Sequence, residues 1–199
     1  MYFLDSKEEW SNIHPEDLWV YNKLILNTRL RHLCGPTGVS VSCSGNYIVR
    51  PSINLLGMGR FARIEWIENS TDHFHPAEFW CEIFKGRHFS VDYQNKIPKL
   101  TVLGERDGDD DLYKWKKWSK VDNFIEFPAI LNRLVGNYEW INCEFIENRL
   151  IEVHFRQNPD FRYNNSVAIP VWRGDRPQKI ENLTFVEDAD YLRRGFFID

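Results

Sequence analysis

Apolar residues alternate with polar ones along most of this chain, and only a few stretches show the three-and-four spacing of a helix. Residues 22–33 place Leu24, Ile25, Leu30 and Leu33 at helical intervals and run into Cys34-Gly35-Pro36, a stop signal. Pro128 opens a second helix through Ala129, Ile130, Leu131, Leu134 and Val135 to Gly136. Asp5-Ser6 and Pro15-Glu16-Asp17 mark two shorter helix starts. Strands are predicted at 47–50, 61–67, 77–84, 88–94 and 100–103, the first two joined by a hairpin loop over 51–60 that carries Gly57 and Gly59. Short helices and accumulating strands together predict an α+β fold.

The segment 140–156 reads as one more hairpin. With Asn148 at the centre of the turn, Trp140 faces Arg156, Asn142 faces His154 and Glu144 faces Glu152. These side chains share one face, while Cys143, Phe145, Ile151, Val153 and Phe155 form a wholly apolar opposite face. The apolar face requires a cover, which the helix at 128–136 can provide. Two carboxylates directly opposite one another repel. A divalent cation removes that repulsion, and Mg²⁺ is commonly held by one or two carboxylates plus substrate phosphates, so Glu144, Glu152 and His154 are candidate metal ligands. The plainer alternative is a solvated face on which the acids pair with Arg149 or Arg156.

Composition narrows the class. The chain has 199 residues, 43% hydrophobic and 15% aromatic, enough for a core and incompatible with a disordered or low-complexity chain. No repeat or linker divides it, so one folding unit is expected. Its formal net charge of -4 argues against a domain held to nucleic acid by a strongly basic field. The opening residues carry acids where a secretory signal would be basic and then apolar, and no apolar run approaches the roughly 20 residues that span a bilayer. A cytoplasmic protein with no membrane association is expected. Its four cysteines, Cys34, Cys43, Cys81 and Cys143, form no CxxC pair, leave three pairings open, and are expected to be reduced and mostly buried.

Several motifs, in order, carry a resemblance. Tyr21-Asn22-Lys23-Leu24 opens a helix; Gly35-Pro36-Thr37-Gly38 follows it; Tyr47-Ile48-Val49-Arg50-Pro51 precedes the glycine loop. Glu82-Ile83-Phe84-Lys85-Gly86-Arg87-His88-Phe89-Ser90-Val91 comes next, and Glu144 with Glu152-Val153-His154-Phe155-Arg156 closes the series. This order, over roughly residues 18 to 160, resembles the ATP-grasp superfamily, whose members hold ATP between two α+β lobes and typically join a carboxylate to an amine through an acylphosphate. The resemblance implies two small lobes with antiparallel sheets enclosing a nucleotide cleft: a nucleotide-binding lobe over about 36–94, and a larger lobe from 1–35 and 95–199 carrying the metal hairpin.

By the same resemblance, Lys23, Arg50, Gly57 and Gly59 contact the phosphates of ATP, the backbone near Glu82 and Phe84 bonds adenine, and His88 stands where an acid usually holds the ribose. Glu144, Glu152 and His154 take the place of the ligands for Mg²⁺ or Mn²⁺. Arg50 occupies the position of a family lysine, and His154 and Phe155 replace an Asn-Pro pair. Arg50 and Arg156 are the expected catalytic residues, because phosphoryl transfer relies on positioning and charge neutralisation and a guanidinium fork suits phosphate. Arg156 has an alternative role in a salt bridge to Glu144 or Glu152. The implied activity is an ATP-dependent carboxylate–amine ligase of unspecified acceptor. Only about 20 residues precede Lys23 where most members carry a further domain, so a protein partner supplying the acceptor site is also implied. Departures at four nucleotide or metal positions give a second reading, a catalytically degenerate fold acting as a nucleotide-binding or protein-interaction module.

Two other features bear on function. Residues 113–120 interleave Lys114, Lys116, Lys117 and Lys120 with Tyr113, Trp115 and Trp118, a pattern suited to single-stranded nucleic acid. A solvated helix or loop with inward Trp rings explains it more simply, and in the ATP-grasp reading one of these lysines reaches the phosphates. His73-Phe74-His75 places two imidazoles at alternate positions; with no further ligands at matching spacing, a surface turn before Pro76 is expected.

Overall fold

The computed structural model describes residues 12–53, 59–106, 108, 112–175, 179–188 and 192–199. The helix start at Asp5-Ser6 and Gly57 of the glycine loop fall outside them. The architecture is α+β, with two antiparallel sheets and a few short helices. The smaller sheet contains β1 (Cys34–Pro36), β2 (Gly45–Pro51), β3 (Arg63–Ile67) and β4 (Glu78–Cys81) in the order β1-β4-β2-β3. The larger is built from β5 (His88–Gln94), β6 (Ile97–Glu105), β7 (Lys117–Lys120), β8 (Ile141–Ile146), β9 (Arg149–His154), β10 (Val167–Trp172), β11 (Thr184–Glu187) and β12 (Arg193–Ile198). Its order is β11-β12-β10-β7-β6-β5-β8-β9. Of the segment 36–94 expected to form the small lobe, β2, β3 and β4 lie in the smaller sheet, which ends at Cys81, and β5 pairs in the larger one.

The one described α-helix, α1 (Lys23–Arg29), is shorter than the predicted 22–33. Asn22 caps it by accepting a 3.0 Å bond from Ile25 N, and Arg31 at φ 60° turns the chain out of it. Its buried stripe also differs from the apolar pattern. Lys23, Leu26 and Asn27 are buried and Leu30 packs on the core, whereas Ile25 and Leu33 are exposed. Two polar residues on the buried side moved the apparent apolar face around the helix. Pro15–Tyr21 and Ala129–Leu134 form 3-10 helices, the second replacing the α-helix expected at 128–136. Its role as a cover survives: Leu131 and Leu134, with Trp19, Val20, Tyr21 and Leu26, pack on Phe89, Val91, Tyr93, Cys143, Phe145, Leu150 and Val153.

The 140–156 hairpin forms with one irregularity. A two-residue turn at Glu147-Asn148 pairs Ile146 with Arg149 and Phe145 with Leu150, one residue out of the expected register. A bulge then restores it, so that Glu144 faces Glu152 and Asn142 faces His154 as expected. The bulge sends Leu150 instead of Ile151 into the main core; Ile151 is buried outside that cluster. The ladder ends at Asn142 and His154, so the expected Trp140–Arg156 pair does not form in it.

Residues 117–120 are β7, neither helix nor loop, and Trp118 is buried as expected of an inward ring. The strand expected at 77–84 is confined to Glu78–Cys81. His73 and His75 are exposed, with His73 Nε2 3.0 Å from Glu65 Oε1. The C-terminal residues supply edge strand β11. Among the described residues no helix is long and apolar enough to cross a membrane.

Leu134, fully buried beneath the hairpin, tests this cover. Leu134→Ala is expected to lower stability by about 2–5 kcal/mol in urea unfolding, and Asn132→Ala on the exposed side to change it by less than about 0.5 kcal/mol.

Candidate functional site

One face of the larger sheet is polar across three adjacent strands. Period two puts His88, Ser90 and Asp92 of β5 on it, and the registers Ser90–Glu144, Asp92–Asn142, Glu144–Glu152 and Asn142–His154 carry the stripe through β8 into β9. Most of these side chains are buried. Buried polar groups cost free energy unless paired, and here they are paired across strands. His88 Nε2 lies 3.0 Å from Glu144 Oε2. Glu152 Oε2 lies 2.9 Å from Lys23 Nζ, and its Oε1 lies 3.3 Å from His154 Nε2.

The Lys23 contact joins the two sheets. Helix α1 packs against both β1 and β9. The Lys23 backbone N donates to Ser52 O at 2.7 Å, Ser52 N donates to Ala77 O at 2.9 Å, and Ser52 lies two residues beyond Arg50. Arg50 alternates with Tyr47 and Val49, which enter the core of the smaller sheet, so it projects from the opposite face. Its Nε is buried with no hydrogen-bond partner.

The charges interlock. Burial pulls the Lys23 ammonium below its ordinary range, opposed by Glu152 and reinforced by Arg50. Burial pushes the Glu152 carboxyl up, but Lys23, His154 and Arg50 overcome it and hold the group well below the usual carboxylate range. Glu144 is also pushed up by burial and by Glu152, yet its bond to His88 leaves it below that range. Lys23, Arg50, Glu144 and Glu152 thus feel one another across both sheets.

Around this centre the remaining candidates fall as follows. Glu82 N donates to Leu33 O and Glu82 Oε1 accepts from Leu33 N, each at 2.9 Å, while Arg149 approaches Glu82 Oε2 at 3.5 Å. Arg149 thus engages Glu82, whereas the plainer alternative paired it with Glu144 or Glu152. The Phe84 ring lies 4.7 Å from the His32 ring and 4.7 Å from the Arg149 guanidinium. His88 packs edge-on against Trp115 and Trp118 at 4.5 and 5.6 Å, and its Nδ1 is buried without a hydrogen-bond partner. Gly59 takes φ +65° in the turn before β3. Arg156 Nη1 donates to Gln157 O at 3.2 Å, and its charge acts on Asp92.

A network absent from the sequence reading adjoins the cluster. Asn142 Nδ2 donates to Ser90 Oγ and Asp92 Oδ1, both at 2.8 Å, and Asn158 N donates to both Asp92 oxygens at 2.9 and 3.0 Å. Burial raises the Asp92 carboxyl despite those bonds. The signal was present in the alternation of His88, Ser90 and Asp92 with Phe89, Val91 and Tyr93.

The donor chemistry discriminates between ligands. Both metal-position acids are engaged by the chain's own bases, and among the described residues no group of three His, Cys, Asp or Glu is arranged to hold a metal ion. As placed, Glu144, Glu152 and His154 do not fit a divalent cation. Lys23, engaged by Glu152, and Arg50, whose Nε is buried without a hydrogen-bond partner, act on each other electrostatically at this centre.

No family model and no curated protein matches the chain. Among solved structures, a protein from Archaeoglobus fulgidus assigned provisionally to the ATP-grasp superfamily matches with a TM-score of 0.50 and 12% identity, over 90% of this chain. The match spans 64% of that protein's length. At this identity the likeness is one of fold.

Removing one partner of a buried ion pair exposes the other to an uncompensated environment. Lys23→Met is expected to cost about 3 kcal/mol, and adding Glu152→Gln to recover part of that loss in a double-mutant cycle. The depressed Glu152 and Glu144 carboxyls stabilise the fold above the ordinary carboxylate value of 4.5, and this stabilisation is lost as pH falls through their lower folded values. Chemical denaturation from neutral pH downward should show stability falling below that point, with a shallower fall in Glu152→Gln.

Proposed function

We propose that this chain is an ATP-binding protein of the ATP-grasp type, with the phosphates held between Lys23 and Arg50 where the two sheets meet. The observation that carries the proposal is a buried lysine on α1, ion-paired with Glu152 and within the electrostatic reach of an arginine on β2 whose Nε has no hydrogen-bond partner, in a fold similar to an ATP-grasp structure. Gly57 and Gly59 would cover the phosphates, the backbone near Glu82 and Phe84 would meet adenine, and His88 would border the ribose. A cation pair of this kind holds phosphate by charge and, at the arginine, by directional N–H donation.

The reaction that fits the proposal is a ligation. A substrate carboxylate oxygen attacks the γ-phosphorus of ATP and ADP departs; an amine then attacks the acyl carbon and phosphate departs. Arg50 would stabilise charge on the transferring phosphoryl group and Arg156 charge on the acylphosphate or the tetrahedral intermediate. Divalent-metal use, by Mg²⁺ or Mn²⁺, belongs to this reading and would require Glu144 and Glu152 to exchange their present partners. A protein partner supplying the acceptor side also belongs to it.

One observation favours a second reading. The two acids are already engaged by Lys23, His154 and His88, the state expected of a degenerate fold that binds nucleotide, or a protein partner, without turnover. Single-stranded nucleic-acid binding through 113–120 is less well supported, because Trp118 packs inward in β7 and Trp115 packs on His88.

Calorimetry of ATP binding, without metal and with Mg²⁺ or Mn²⁺, separates these readings. Binding weakened at least tenfold by Arg50→Ala, about 1.4 kcal/mol or more, supports the nucleotide site. Metal-dependent tightening that Glu152→Gln abolishes supports the ligase. Metal-independent binding supports the degenerate module, and no binding by folded wild-type protein refutes the proposal.

A further inference from the structure

Beneath α1, Cys34 of β1 lies directly opposite Cys81 of β4 in the antiparallel register. The next pair outward is Leu33 with Glu82, where Glu82 N donates to Leu33 O at 2.9 Å. Hydrogen-bonded and non-hydrogen-bonded pairs alternate along such a ladder, so Cys34 and Cys81 occupy a non-hydrogen-bonded position. There the Cα atoms approach to about 4.5 Å and the side chains are closest, within the roughly 4.4–6.8 Å that a disulfide spans. Both residues are free thiols in the structure.

The two thiols have unequal surroundings. Cys34 is half-buried, with Sγ 3.7 Å from Thr28 Oγ1 on α1, whereas Cys81 is only 2% exposed. Cys43 is exposed and Cys143 lies in the core of the larger sheet, and neither has a cysteine opposite it in a ladder. Burial raises both Cys34 and Cys81 thiols, and the Arg50 and Lys23 charges act against that rise at Cys81.

We propose that Cys34 and Cys81 are a reversible oxidation site that closes into a cross-strand disulfide under the helix carrying Lys23. With a low-molecular-weight disulfide as oxidant, the more accessible Cys34 thiolate attacks one sulfur and releases one thiol. Cys81 then attacks Cys34 Sγ in the mixed disulfide and releases the second thiol. In total, two protein thiols are oxidised to one disulfide and one external disulfide is reduced to two thiols. Closure draws Cys34 from Thr28 and shifts α1, and so Lys23, relative to β9. That consequence for the nucleotide rests on the function proposed above; the cross-link itself does not.

The test incubates the folded, reduced protein with glutathione disulfide, followed by non-reducing peptide mass spectrometry and an ATP titration. A Cys34–Cys81 linked peptide that dithiothreitol reverses is expected. Cys81→Ser should trap glutathione on Cys34, and Cys34→Ser should leave Cys81 unmodified. The oxidised wild type should bind ATP several-fold more weakly than the reduced form. Glutathione retained on Cys34 of the wild type without a linked peptide would overturn the proposal. So would free Cys34 and Cys81 under conditions that fully modify the exposed Cys43. A linked peptide with no ATP binding in either redox state would sink the nucleotide reading and leave the oxidation site standing.

Discussion

The contact between Lys23 and Glu152 organises this molecule. It is made by a helix at the edge of one sheet and a strand at the edge of the other, with the lysine side chain 4% and the glutamate side chain 13% exposed. Moving either charge into that environment alone is costly, and their mutual attraction offsets the cost only while the geometry holds. The position of α1 against β9 is therefore coupled to the protonation and partners of Glu152, and through the register to Glu144 and His88. A ligand that competes for Lys23, such as a phosphate, acts on the same balance.

The same constraint explains how the helix could be misread. Its buried stripe is Lys23, Leu26, Asn27 and Leu30, the i, i+3, i+4, i+7 pattern of a core-facing helix with polar groups at two of four positions. An apolar count slides to Leu24, Ile25 and Leu33 and lengthens the element. Local rules for foldability are commonly broken where a site is built, and here the departure coincides with the candidate phosphate-binding lysine.

Strands and faces were more legible. Strand β5 matches its predicted bounds, and the alternation in 140–156 places Glu144 opposite Glu152 despite an unforeseen bulge. The register survived because a two-residue turn and a one-residue bulge shift the pairing in opposite senses. The long-range partners of the acids were not legible: Lys23 lies more than a hundred residues away in sequence and His88 on a different strand, whereas Arg149 and Arg156 lie close by in the chain. Long-range electrostatics depend on strand order, and the placement of β5 between β6 and β8 was hidden until the sheet was seen. Nothing local assigns His88–Gln94 to one sheet over the other, so its place in the larger sheet was not legible either.

The function proposed for this chain puts a phosphate chain between Lys23 and Arg50, and phosphorus NMR would read such a contact directly. With ATP added to the metal-free protein, displaced β- and γ-phosphate resonances in the wild type, restored toward free ATP in Arg50→Gln, are expected. Resonances of bound ATP that do not move in the wild type, or that move equally in the folded Arg50→Gln variant, would contradict a phosphate site at these two residues.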